Sequence, residues 1–222
     1  MKIMKFPLIL AAALAISLPA ARAAVITLQL DFGSSTSPVA TGYTAVVGNF
    51  LSNTPTASVT NIDGTGYNFS VNNVGVFSFD SLTEPLITDG FYTFGNDTLD
   101  HTFTISGLAP GDEVAIYALA AWDGNGRGAQ IVYDGSTVQA QTIGTPGTTP
   151  TLANFTFIGS DIANGSGIVT GTLNGAGFPG APGSEGQVGG FVIQVTTVPE
   201  PTTALLVGAG FGTVLFFRRR RA

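Results

Sequence analysis

Short runs of alternating apolar and polar residues recur along most of the chain. In the first run, residues 26–33, apolar side chains occupy every second position, which is the period of a β-strand with one buried face. Further runs of this type are separated by glycine, proline, asparagine or aspartate, and they span residues 67–71, 74–82, 91–94, 101–108, 113–122, 129–133, 137–143, 154–158, 167–173 and 190–197. The pattern therefore predicts a chain built from many short strands.

The spacing of these runs predicts an all-β fold, an antiparallel β-sandwich or jelly roll. Residues 114–122 are apolar enough to be ambiguous between strand and helix, but no other stretch between residues 24 and 198 shows a helical period. Asp134 and Gly135 predict a tight hairpin turn between two strands. Residues 34–63 and the Gly/Pro-rich residues 175–189 are predicted to be loops.

The distribution of charge excludes some classes of partner. The chain has 8 basic and 14 acidic residues, yet between residues 24 and 198 the only cation is Arg127. Such a body cannot neutralise phosphates, so nucleic acid is not an expected partner. The chain has no cysteine, which excludes a disulfide framework, a thiolate metal site and a thiol nucleophile.

The N-terminus has the three parts of a secretory signal peptide. Lys2 and Lys5 precede an apolar run over residues 6–18, and small residues follow at Ala21 and Ala23. We expect a signal helix that is removed by cleavage between Ala23 and Ala24. The apolar run is shorter than the roughly 20 residues that span a membrane, so an uncleaved N-terminal anchor is the less favoured alternative.

The C-terminus combines a short motif, an apolar run and a basic cluster. An apolar run over residues 204–217 separates the motif Val198, Pro199, Glu200, Pro201 from the cluster Arg218, Arg219, Arg220, Arg221. The run is marginal for a transmembrane helix, since 14 helical residues reach about 21 Å. Arginines directly after such a run favour the cytoplasmic side, which leaves the preceding domain outside.

These C-terminal elements resemble the PEP-CTERM sorting tails. The resemblance implies export in a Gram-negative-type bacterium, transient insertion in the inner membrane, recognition and processing by an exosortase, and retention at the outer surface or its polysaccharide matrix. It covers about two dozen residues. The alternative is a plain single-span anchor.

The chain thus divides into a signal peptide (1–23), a β-sandwich body (24–198) and a sorting tail (199–222). The body is similar to malectin-like and galactose-binding-like jelly rolls in three places: residues 31–33 on the first strand, residues 103–111 with their Gly-Leu-Ala-Pro-Gly turn, and the closing strand over residues 189–193. This resemblance implies a fold that often binds sugars, but fold alone does not define function.

One loop carries the residues best suited to bind a ligand. Trp122 and Arg127 are the only tryptophan and the only cation of the body, and an aromatic face beside a guanidinium suits a sugar ring and its hydroxyls or carboxylates. Asp123 and Asn125 lie between them. A calcium loop is disfavoured because Arg127 takes a ligand position, so no metal site is predicted. Trp122 as a core residue is the simpler alternative.

No catalytic residue is predicted from the sequence. His101, the only histidine, has no nucleophile at motif spacing, which favours a surface or strand-edge position over a general base. Asn61, Asp63, Asp97 and Asp100 are interpreted as turn or loop residues that cap their own backbone.

The expected function is that of a non-enzymatic surface protein, without cofactor, that binds extracellular polysaccharide. Two alternatives stay open. One is a small jelly-roll glycosidase or lyase that uses two carboxylates. The other is a purely structural, acidic matrix protein.

Overall fold

The computed structural model describes residues 23–48, 54–78, 86, 89–94, 101–121, 128–140, 150–174 and 185–198. The predicted signal helix and the predicted transmembrane run lie outside these residues. Val25–Thr197 forms one compact unit. Among the described residues, no helix has the length and apolar character needed to cross a membrane.

The described chain is built almost entirely of β-strands, as the alternating pattern predicts. Short 3-10 turns occur at Ile62–Gly64 and Leu152–Asn154. Twelve strands follow one another in the order β1 (Val25–Gly33), β2 (Thr44–Val47), β3 (Thr54–Val59), β4 (Asn68–Ser78), β5 (Asp89–Phe94), β6 (Thr102–Ser106), β7 (Glu113–Ala120), β8 (Ala129–Tyr133), β9 (Ser136–Ala140), β10 (Thr156–Ile162), β11 (Ile168–Asn174) and β12 (Glu185–Thr196).

The strands form one large sheet that consists of two halves. In the β12 half, β12 pairs with β7 on one side and with β5 and β1 on the other, while β10 and β2 extend it beyond β7 and β1. In the β11 half the order is β3, β4, β6, β11, β8, β9. Strand β4 belongs to both, because Asn68 to Val71 pair with β6 whereas Gly75 to Ser78 pair with β5.

The two halves share one hydrophobic core, which gives the fold a sandwich-like arrangement. Phe191 of β12 packs edge-on against Phe32 of β1, Phe69 of β4 and Phe103 of β6, with ring centroids 5.0, 5.9 and 5.4 Å away. The buried Tyr133 hydroxyl on β8 donates a 2.9 Å hydrogen bond to the Val114 carbonyl of β7. The contacts of Phe191 with Phe69 and Phe103, like the Tyr133 hydrogen bond, connect strands of different halves.

A second, smaller core lies on the other face of the β12 half. It contains Leu119 of β7 and Val192 of β12, covered by Ala40, Leu86 and Phe155, with Tyr43 packed against it. Ala40 and Tyr43 belong to the segment after β1, residues 34–43, which we call the covering segment. The end of β7, from Ala118 to Ala120, is therefore buried on both faces, which explains why the sequence there is apolar without a period of two.

Three predictions about the strands are wrong in detail. Residues 34–63 were expected to be a loop but include β2 and β3, and β12 begins at Glu185, inside the predicted loop over residues 175–189. The run 67–71 and the described part of the run 74–82 form one strand, β4 (Asn68–Ser78), rather than two, with Asn73 at a positive φ of 55° where the strand changes partners. Strands β1 and β2 are parallel, an exception to the expected antiparallel pairing.

The predicted hairpin turn is confirmed. Asp134 and Gly135 adopt positive φ angles of 48° and 67°, and Tyr133 pairs with Ser136 across the turn. This backbone twist suits a two-residue hairpin, and aspartate followed by glycine tolerates it.

Candidate functional site

The compact unit begins and ends at the same place. Strands β1 and β12 are antiparallel, and the register places Val25 opposite Thr196. Ala23 and Ala24 are exposed directly before β1, and Val198 is 48% exposed directly after β12. Cleavage after Ala23 would therefore leave β1 whole, and cleavage after Val198 would leave β12 whole. Ala21 and the sorting residues from Pro199 to Arg221 lie outside the described residues.

The predicted ligand loop is attached to β12 at both of its ends. The Ala121 amide donates to the Gln187 carbonyl, and the Gln187 amide donates to the Gly128 carbonyl, each at 3.2 Å. Residues 122–127, which include Trp122, Asp123, Asn125 and Arg127, lie outside the described residues, so their role stays a prediction. What the structure adds is that the chain leaves and rejoins the sheet at one position.

The structure corrects the expectation of a surface position for His101. This residue immediately precedes β6 and is only 6% exposed, and its carbonyl accepts a 3.2 Å hydrogen bond from the Leu173 amide of β11. The strand-edge alternative therefore holds, but as a buried position.

Asn61 and Asp63 form a turn, as expected. The Asn61 Oδ1 accepts a 2.8 Å hydrogen bond from the Gly66 amide, and the Asp63 Oδ1 accepts one of 2.8 Å from the Thr44 hydroxyl. Asp97 and Asp100 lie outside the described residues.

Sequence reasoning missed two buried carboxylates, Asp31 on β1 and Asp89 at the start of β5. Asp31 is 3% exposed and Asp89 is completely buried. The Ala40 amide of the covering segment donates a 2.7 Å hydrogen bond to the Asp31 Oδ2. The Asp31 Oδ1 and both carboxylate oxygens of Asp89 have no hydrogen-bond partner. Three buried acceptor oxygens without a donor are costly for a folded domain.

These carboxylates line a small cavity under the covering segment. Its other walls include Gly33, Ser34, Ser37 and Val46, and the space holds about one water-sized particle. The Ser34 and Ser37 hydroxyls are 3.0 Å apart. Gly33 is required here, since a Cβ at that position would lie 2.8 Å from the Asp89 Oδ2.

The cavity shifts both acids in the same direction. Burial raises the pKa of Asp31 to about 7, opposed by the Ala40 hydrogen bond and reinforced by the charge of Asp89. Burial also raises the pKa of Asp89 to about 6. The polar Ser37 hydroxyl and Leu86 backbone nearby lower this pKa in part, although neither is placed to form a hydrogen bond with the Asp89 carboxylate. In both acids, burial disfavours the charged form.

The signal for this pair in the sequence is weak. Alternation along β1 assigns Asp31 to the face opposite Leu30 and Phe32, where a polar residue is ordinary. Asp89 belongs to no predicted run, although it lies two residues before the run 91–94. Asp31 is buried because the covering segment packs over the outer face of β1.

The comparison with known families identifies the C-terminal tail. Residues 197–221 match the family model of the PEP-CTERM protein-sorting motif. No curated protein and no solved structure matches the chain. The match defines the class of protein: a bacterial protein that is exported and sorted to the cell envelope. More specifically, the chain carries the PEP-CTERM motif behind an all-β body, and this motif implies processing by an exosortase.

Proposed function

We propose that the protein is a non-catalytic surface module that an exosortase releases from its tail and that stays at the outer surface or in the polysaccharide matrix of a Gram-negative-type bacterium. The observation that carries this proposal is the PEP-CTERM match, which begins at Thr197, directly after β12 ends at Thr196. Within the described residues the last strand ends at Thr196, so we expect the β body to stay intact when the tail is removed.

The arrangement of the chain ends supports this order of events. Val25 and Thr196 are register partners, so the predicted signal cleavage site and the start of the sorting motif both lie just beyond one strand pair in sequence.

Replacement of the motif residues tests the sorting step. In the full chain, Pro199→Ala together with Glu200→Ala and Pro201→Ala should leave the protein unprocessed in the membrane fraction, whereas the wild type should appear as a shorter form outside it. Arg127→Ala, which replaces a charged residue outside the sorting motif, serves as the control. Normal processing of the triple variant would contradict recognition of the motif.

The polysaccharide-binding role rests on the loop over residues 122–127. This loop carries the only tryptophan and the only cation of the body, and both of its ends are held by Gln187. A glycan array with the full chain should then show binding that Trp122→Ala and Arg127→Ala abolish. Phe157→Ala is a matched control, because Phe157 is an aromatic residue that is 51% exposed on a different strand, β10.

The same material separates the alternatives. If no glycan binds but reducing sugar is released from a polysaccharide mixture, and if replacement of one carboxylate stops the release, the protein is an enzyme. If neither binding nor turnover is found, the acidic body acts as a structural component of the matrix.

A further inference from the structure

The cavity between the covering segment, β1 and β5 contains more negative oxygen than the protein satisfies. We propose that Asp31 and Asp89, together with the hydroxyls of Ser34 and Ser37, bind one calcium ion in this cavity. The inference goes beyond the sorting and surface roles proposed above and does not depend on the C-terminal tail.

The cavity is lined by oxygen atoms, and only one of its four carboxylate oxygens, the Asp31 Oδ2, accepts a hydrogen bond. The Asp31 Oδ1, the Asp89 Oδ1 and the Asp89 Oδ2 are buried without a hydrogen-bond partner, and both side chains line the same cavity. An ionised carboxylate buried without a partner is among the most costly groups in a protein. The described residues include no Lys or Arg that could neutralise the two acids, and no third His, Cys, Asp or Glu groups with them, so the serine hydroxyls would have to complete the set of ligands. A bound cation would compensate both charges at once.

The ligands and the space select the type of cation. Carboxylate and hydroxyl oxygens are hard ligands, which suit calcium or magnesium rather than zinc or copper. Magnesium usually keeps several of its waters, whereas this cavity holds about one water-sized particle. Calcium accepts irregular coordination by protein oxygens and loses water more readily, so it fits the cavity better.

The ion would connect β1 and the covering segment that follows it with β5, which lies far along the sequence. Asp31 belongs to β1, Asp89 to β5, and the serines to the covering segment, which also carries Ala40 of the second core. Calcium would thus hold the covering segment over Leu119 and Val192. Extracellular modules bind calcium with Kd values of about 10⁻⁴–10⁻³ M, so an exported protein would gain this contact after it leaves the cytoplasm.

Calorimetry and thermal unfolding of the purified full-length chain test the proposal. After removal of metal with a chelator, titration with calcium should show one ion bound per chain. The melting temperature should rise by roughly 5–10 °C at a calcium concentration a hundredfold above Kd. Magnesium at the same concentration should raise it by less than half as much.

Single substitutions locate the ion. Asp89→Asn keeps the shape of the side chain and should abolish both the binding and the thermal shift. Asp134→Asn is the matched control, since Asp134 is exposed in the hairpin turn and asparagine tolerates its positive φ of 48°. Ser37→Ala should weaken calcium binding about tenfold or more, and it provides a second variant if Asp89→Asn does not fold.

Three results would overturn the proposal. The first is a wild-type chain that neither binds calcium nor changes its melting temperature at 10 mM, which would mean that the two acids share a proton instead. The second is binding that survives both Asp89→Asn and Ser37→Ala, which would indicate diffuse binding by surface carboxylates. The third is an equal response to magnesium. None of these results bears on processing of the tail, which the motif variants test separately.

Discussion

Truncation of Phe191 should destabilise the protein strongly, because this ring joins the two halves of the sheet. Phe191 is fully buried on β12, and its ring meets Phe32, Phe69 and Phe103 at centroid distances of 5.0–5.9 Å. Replacement of a buried phenylalanine by alanine costs about 3–5 kcal/mol. Three lost edge-on contacts, each contributing roughly 0.5–1.5 kcal/mol beyond burial, place Phe191→Ala near the upper end of that range.

Urea unfolding followed by far-UV circular dichroism measures this effect. With a slope of roughly 2 kcal/mol per M, a loss of about 4 kcal/mol lowers the urea midpoint by about 2 M. The control is Phe157→Ala on β10. It removes the same atoms from a ring that is 51% exposed and that packs on Tyr117 at 5.2 Å. We expect a loss below about 1 kcal/mol from this control. If both variants lost the same free energy of unfolding, Phe191 would not lie at the centre of a core shared by the two halves.

Three further predictions concern other parts of the body. Tyr133→Phe should cost about 1–2 kcal/mol at pH 7, since a buried carbonyl loses its donor. Burial raises the pKa of the Tyr133 phenol above its value in the unfolded chain. The wild-type protein should therefore lose stability as the pH rises past about 10, where the unfolded phenol ionises. Urea midpoints measured from pH 8 to 11 should decline less steeply in Tyr133→Phe, which has no phenol. Gly171→Ala should lower the free energy of unfolding by roughly 1–3 kcal/mol in the same assay, because the added Cβ would overlap the Phe103 ring. Gly165→Ala is the control and should be nearly neutral, because the space around Gly165 is open. Finally, the N-terminal sequence of the exported chain should begin at Ala24; a start beyond Val25, the first residue of β1, would mean that β1 does not survive export intact.

The export and sorting of the protein could be predicted from the sequence, because both depend on local sequence patterns at the two ends of the chain. Motif, apolar run and arginine cluster are recognised in linear order by other proteins, so no folding is needed to identify them. The family match over residues 197–221 confirms this part. The signal peptide and the ligand loop with Trp122 stay predictions.

Much of the β-sheet could also be predicted, because a strand with one buried face repeats every two residues. Leu28, Leu30 and Phe32 alternate along β1 and are all completely buried. Strands β2 and β3 were missed because they are short and each contributes few residues to the core, Val46 from β2 and Ala57 from β3, so that pairing with β1 and β4 defines them.

The carboxylate cavity is the part that only the tertiary structure decided. The alternation that buries Phe32 assigns Asp31 to the opposite face of β1, where a lone aspartate would be solvated. Its burial requires the covering segment to fold back and donate the Ala40 amide, and it requires β5 to bring Asp89 to the same place from almost 60 residues away in sequence. Local pattern determines which face a residue takes, but long-range packing determines whether that face meets water.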